Sequence, residues 1–264
     1  MAGLDGKFFW YTLMTSDTAA AGEFYKTVIG WTTRAIGREG QPDAEPYMLF
    51  EAAGAGVAGM LTLDAEEAQR LAIPPHWIGY VYVDSVDDAA AAIAAAGGAI
   101  HHPPENIPGI GRFAAVADPQ GAAFIVGKPI PPEQARPEAA PGAAGHVGWH
   151  ELHADDWQAV FSFYEKQFGW SKTESHDMGP MGVYQLFKTG GDMAAGGMMT
   201  KPAAIPVPYW GYYFNVDAID AAAERVTGGG GKILNGPHEV PGPMWVVNCM
   251  DPQGAVFSLV APKR

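Results

Sequence analysis

Trp10-Tyr11-Thr12-Leu13, Asp17, Phe24-Tyr25 and Gly30-Trp31 return as Trp149-His150-Glu151-Leu152, Asp156, Phe163-Tyr164 and Gly169-Trp170, each position 139 residues further on. Downstream, Trp77, Val83-Asp84 and Asp118-Pro119-Gln120-Gly121 return as Trp210, Val216-Asp217 and Asp251-Pro252-Gln253-Gly254 at an offset of 133. Matches at a fixed offset mark a repeated structural unit, and the change of offset places a short deletion in the middle of the second copy. The 264 residues are therefore read as two tandem domains, 1–127 and 146–264. Between them, 128–145 opens with Lys128-Pro129-Ile130-Pro131-Pro132 and carries Pro137, Pro141 and Gly145. Such a stretch is too rich in proline and alanine to hold a strand ladder and reads as a semi-rigid linker.

Each copy divides again. Phe8 to Met14 alternates as a strand does, Asp17 is placed to cap a helix with Ala20, Phe24 and Val28 on one face, and Gly30 ends it. Strand-like pieces follow at 31–36, 47–52 and 57–63. The order then repeats: a strand over 77–83, a helix opened by Ser85-Val86-Asp87-Asp88 and ended by Gly97-Gly98, and strands near 99–101, 113–117 and 122–126. The module β-α-β-β-β, used four times, makes an α+β protein.

A paired β-α-β-β-β unit resembles the vicinal oxygen chelate superfamily, which contains glyoxalase I, bleomycin-resistance proteins and extradiol dioxygenases. The features that carry the likeness are an aromatic strand, an Asp-capped helix ending Phe-Tyr-x-x-x-x-Gly-Trp, and a terminal Asp-Pro-Gln-Gly turn. The resemblance covers about residues 7–127 and 146–262. It implies that each domain joins two βαβββ units into an eight-stranded open cup whose concave face holds the ligand. It also implies a metal held by His, Glu or Gln from the cup strands. Its first position, seven residues before the capping Asp, falls on Trp10 and Trp149. Another, four residues after the Gly of the Asp-Pro-x-Gly turn, falls on Ile125 and Ser258, and the one on the fifth strand on Ile78 and Gly211. Indole, alkyl and hydrogen side chains do not coordinate a divalent ion, and a lone serine hydroxyl is a poor ligand. No metal site and no cofactor are therefore expected.

Strand alternation then selects the remaining candidates. If Trp149 faces the second cup, so do Glu151 and His153, while His150 and Leu152 face the helices. The same parity sends Tyr213 and Asn215 into the second cup, against Trp10, Thr12, Met14, Tyr80 and Tyr82 in the first. Ligand-binding candidates are thus Trp10, Tyr80, Trp149, Glu151, His153, Tyr213 and Asn215, and the only candidates for catalysis are Glu151 and His153. These two form either an acid/base pair or a satisfied ion pair at a sheet rim. The recurring tryptophans stack on a ligand or pack a core.

Other motifs carry less. Gly54-Ala55-Gly56-Val57-Ala58-Gly59 matches a dinucleotide fingerprint literally but leads into a strand, so it reads as a hairpin turn. His101-His102 stands before Pro103-Pro104, where a loop is expected. Cys249 has no partner thiol and reads as a small buried hydrophobe.

Sixteen basic residues against twenty-nine acidic ones leave a net charge of −13, which disfavours nucleic acid and anionic membrane surfaces. Apolar runs are short and no signal segment opens the chain, so a soluble, cytoplasmic protein is expected. The partner is expected to be a small-molecule ligand, held in an aromatic cleft without metal. The alternative is a metal-dependent lyase, isomerase or dioxygenase of the same superfamily, using a rearranged site in the C-terminal domain. An interaction protein with filled cups is a third reading, and a homodimer remains open.

Overall fold

The computed structural model describes residues 5–37, 46–130 and 139–264. Part of the predicted linker therefore lies outside the described residues. Copy one runs β1 (Phe8–Thr15), α1 (Thr18–Ile29), β2 (Thr32–Ile36), β3 (Tyr47–Ala52), β4 (Ala55–Thr62), α2 (Ala65–Leu71), β5 (His76–Tyr82), α3 (Val86–Ala95), β6 (Ala99–Ile107), β7 (Gly111–Ala117) and β8 (Ala123–Pro129). Copy two runs β9 (Val147–Ala154), α4 (Trp157–Phe168), β10 (Ser171–Asp177), β11 (Val183–Lys188), β12 (Gly196–Thr200), β13 (Tyr209–Asn215), α5 (Ile219–Gly228), β14 (Lys232–Val240), β15 (Met244–Met250) and β16 (Val256–Ala261). Four β-α-β-β-β modules are present. Helix α2 is an addition to copy one, and copy two crosses the same interval with the loop 201–208.

Local chemistry sets the element ends. Asp17 accepts the Ala20 N–H at 2.9 Å, and Asp156 accepts those of Gln158 and Ala159 at 2.9 and 3.1 Å, so each side chain satisfies first-turn donors. Gly30 and Gly169 close α1 and α4 at φ of 91° and 68°, in the left-handed region that favours glycine. The literal dinucleotide motif is indeed a hairpin. Ala53 and Gly54 both take positive φ between β3 and β4, the requirement of a two-residue turn.

Each copy forms one eight-stranded sheet, ordered β2-β3-β4-β1-β5-β8-β7-β6 in the first and β10-β11-β12-β9-β13-β16-β15-β14 in the second. Strand pairs β1/β4, β12/β9, β5/β8 and β13/β16 are parallel. No loop interrupts the chain at Pro103-Pro104, where one is expected from the sequence: both prolines, with His101 and His102, lie inside β6. Strand β6 ends its sheet, and the pairing with β7 shifts register between Ile100 and His102 and again between His102 and Glu105. A proline that donates nothing to the ladder is tolerated on such an irregular edge.

The compact units of the chain do not follow the copies. One unit comprises Met1–Trp10, Ile78–Pro137 and Trp149–Gly211, the other Tyr11–Trp77, Glu138–Gly148 and Tyr212–Arg264. Within the first, the Tyr164 hydroxyl of α4 donates to Asp118 of copy one at 2.8 Å and accepts the Trp210 indole N–H at 3.0 Å. Trp170 stacks between Tyr164 and Phe187 and donates to the Gly6 carbonyl at 2.6 Å. The second unit repeats this with the copies exchanged. Tyr25 donates to Asp251 at 3.0 Å and accepts from Trp77 at 2.9 Å, while Trp31 donates at 2.8 Å to the carbonyl of Gly145, the last residue of the linker. These repeated tyrosines, tryptophans and turn aspartates are thus core residues, each polar tip spent on a buried partner. Burial pushes both aspartates above the usual carboxylate range, opposed by these hydroxyls and by backbone N–H groups of their own turns.

Candidate functional site

Strand β9 divides its side chains between two environments, as a period of two requires. On one face His150 stacks on Phe8, with ring centroids 4.2 Å apart, and its Nδ1–H donates to the Ala195 carbonyl at 2.7 Å. Burial lowers its pKa to about 4, so this half-buried imidazole is neutral.

The other face carries Trp149, Glu151 and His153. Glu151 Oε2 lies 2.9 Å from His153 Nε2, and the two side chains are only 10% and 11% exposed. The His153 ring lies flat on Tyr209, at 4.7 Å and 16°. Burial and the neighbouring Glu151 carboxylate push the Tyr209 phenol well above its ordinary pKa, so it stays protonated. Strand β12 runs alongside with Gly197 opposite Glu151 and Met199 opposite His153. The half-buried Trp149 donates its indole N–H to the Tyr184 hydroxyl at 2.8 Å. Glycine at 197 is what lets that phenol approach, since a Cβ there would fall inside the Tyr184 ring. One atom of the cluster is left over: His153 Nδ1 is buried and has no hydrogen-bond partner.

The remaining sequence candidates sit differently. Tyr213 and Asn215 belong to the other compact unit. There Asn248 donates to Tyr213 at 3.2 Å and to Ser258 at 2.8 Å, a neutral cluster of hydroxyls and amide. Asn215 is 4% exposed and ties down the chain before β9, its amide donating to the Ala143 carbonyl at 3.2 Å. In copy one, Tyr80 meets Phe9 and Phe113 edge to face at 6.0 and 5.8 Å, and Trp10 is half-buried. Thr12, at the position matching Glu151, is fully buried and lies 3.0 Å from the Tyr47 hydroxyl. Copy one therefore has no carboxylate–imidazole pair at the equivalent place.

Two site residues escaped the sequence reading, Tyr209 and Tyr184. Carrying the β13 parity one step back from Gly211 reaches the first. The second is signalled by the repeat of a tyrosine facing a glycine, Tyr47 over Gly59 and Tyr184 over Gly197. The donors suit a metal poorly: among the described residues no three His, Cys, Asp or Glu side chains gather, and Glu151 and His153 are only two. His102 and Glu105, 3.4 Å apart, are a second such pair but exposed. Cys249 is buried, its thiol pushed up to about 12 by burial, and is inert as a nucleophile.

The profile of the Glyoxalase/Bleomycin resistance protein/Dioxygenase superfamily matches residues 7–126 and 144–259. The chain is 30% identical over 265 residues to CFP32 of Mycobacterium tuberculosis, whose name carries the word glyoxylase, spanning 96% of this chain and 94% of that one. It is 30% identical over 261 residues to the anthracycline biosynthesis protein DnrV of Streptomyces peucetius, spanning 95% and 91%. Among solved structures, the Mn(II)-bound glyoxalase of Novosphingobium aromaticivorans superposes with a TM-score of 0.63 at 18% identity, covering 99% of this chain and 83% of that one. The 2,2',3-trihydroxybiphenyl 1,2-dioxygenase of Sphingomonas wittichii superposes with a TM-score of 0.66 at 11% identity, covering 97% and 90%. Among the described residues no helix is long and apolar enough to cross a membrane.

Proposed function

We propose that this chain, which belongs to the glyoxalase/bleomycin resistance protein/dioxygenase superfamily, binds a small planar, hydroxylated organic molecule beside Trp149, Glu151 and His153, and does so without a metal ion. The observation that carries this is the Glu151–His153 pair, a buried ionisable couple roofed by Tyr209. Trp149 supplies an indole face for a ring, and the pair supplies a charged acceptor for a hydroxyl. The indole stands where the family places a metal ligand, and its N–H is committed to Tyr184. The name of the relative DnrV fits the same ligand class, since anthracyclines are planar, hydroxylated ring systems.

Calorimetric titration with 4-nitrophenol, a planar phenol, tests the reading. Saturable binding is expected, weakened about tenfold or more by Glu151→Gln, the range for a hydrogen bond to a charged group. Trp149→Ala should weaken it as well. Absence of binding, or binding indifferent to both substitutions, overturns the site. A stoichiometric divalent ion in protein purified without chelator, lost on Glu151→Gln, would overturn the metal-free part and favour the metal-dependent enzyme.

A further inference from the structure

We propose that Glu151 and His153 form a proton-transfer dyad in which Glu151 holds the imidazole as its Nε2–H tautomer, so that His153 Nδ1 takes the proton of an acidic O–H on the bound ligand. The proposal rests on the ligand site argued above and adds chemistry to it.

The geometry assigns the tautomer. A carboxylate oxygen 2.9 Å from Nε2 can only accept, so Nε2 carries a hydrogen. Nδ1 is then either a bare lone pair or a second N–H. It is buried without a partner, and a buried donor with nothing to donate to is the rarer and costlier of the two. The lone pair is therefore the resting state. Among the described residues only Gln253 Oε1 is likewise buried without a partner, and an unmatched polar atom beside a ligand site calls for a partner that arrives later. Tyr209 fixes the plane of the ring by stacking on it, and Glu151 stands ready to stabilise the imidazolium that forms, the part an orienting carboxylate plays behind any histidine base. Solvent does not touch Nδ1, so the ligand reaches it along the plane of the imidazole, where the lone pair points, with Tyr209 still stacked on the ring face.

The step balances without a co-reactant. The O–H bond of a phenol or enol breaks heterolytically, its electron pair stays on oxygen, and the proton moves to Nδ1. The products are an imidazolium paired with Glu151 and an anion stacked beside it. Return of the proton restores the start, and return to a different atom of a delocalised anion would be an isomerisation.

Two measurements decide it. Histidine-labelled protein, read by nitrogen NMR and assigned against His153→Gln, should show His153 with Nε2 protonated and Nδ1 bare. A protonated Nδ1 in the free protein overturns the proposal whatever binds. On adding 4-nitrophenol, the visible phenolate band should appear in proportion to occupancy at a pH where the free phenol is mostly neutral, with Nδ1 becoming protonated. Glu151→Gln should cut the phenolate fraction of bound probe about tenfold, and His153→Gln should abolish the band. A probe that binds but stays neutral, or ionises equally in His153→Gln, overturns the dyad and leaves the binding reading intact. A probe that fails to bind is the failure of that reading instead, and the tautomer still decides the dyad.

Discussion

His150 and His153 stand on one strand, and parity puts them to opposite uses. His150, facing the aromatic layer, has its pKa lowered to about 4 by burial. In the unfolded chain an imidazole titrates near ~6.5. Between these values the unfolded state binds the extra proton, so stability present above ~6.5 drains away as pH falls toward 4. The loss from this one residue is roughly 3 kcal/mol at most. Urea melts at several pH values should show His150→Phe, which keeps a ring against Phe8, losing less stability over that window than the parent. Equal losses would refute the assignment. Position 197 makes a second case. A Cβ there would fall inside the Tyr184 ring, whereas one at Gly211 would meet only ordinary contacts, the nearest at 3.7 Å. Gly197→Ala should push Tyr184 off the Trp149 indole and weaken 4-nitrophenol binding. Gly211→Ala should leave the fold unchanged by near-ultraviolet circular dichroism.

At the scale of elements, the sequence reading succeeded where one residue's own chemistry decides the outcome. Asp17 and Asp156 cap, Gly30 and Gly169 terminate, and strand alternation places Glu151 and His153 on the same side of β9. It failed where the outcome depends on a neighbour in space. Pro103-Pro104 looks like a loop until β6 proves to be the last strand of its sheet, and nothing in the sequence says that Tyr209, at the start of β13, lies on His153. The repeated Trp, Tyr and Asp were legible as a pattern but not as partners, because each tyrosine of one copy meets the aspartate of the other. Tyr25→Phe removes the donor to Asp251 and strands the Trp77 N–H, at a cost of about 1–3 kcal/mol. Tyr164→Phe does the same to Asp118 and Trp210. The two triads share no residue, so chemical denaturation of the double variant should show costs that add to within about 0.5 kcal/mol. A strongly sub-additive double variant would mean the triads are not independent.

For the whole molecule the consequence is that each copy carries the other's missing parts. Tyr25 of copy one finds its acceptor at Asp251, while Trp170 of copy two finds Gly6 and Tyr164 finds Asp118. Phe24 and Tyr25 pack on Phe257, and Phe168 packs on Phe124, again from one copy to the other. An isolated copy would expose these rings to water and leave their polar tips without the buried partners they have in the full chain. It also carries both halves of the exchange: residues 146–264 contain Tyr164 and the turn Asp251-Pro252-Gln253-Gly254, and copy one contains Tyr25 and Asp118-Pro119-Gln120-Gly121. A second molecule of the same copy can therefore supply what is missing, because the two turns have the same sequence. Expressed alone, residues 146–264 should sediment as a dimer or associate further, never as a folded monomer, and Tyr164→Phe should weaken that dimer. Mixed with residues 1–145, they should exchange into a heterodimer with the tryptophan fluorescence of the intact chain. A stable monomer of residues 146–264 with native near-ultraviolet circular dichroism would show that the cross-copy contacts are dispensable and that each copy completes its own core.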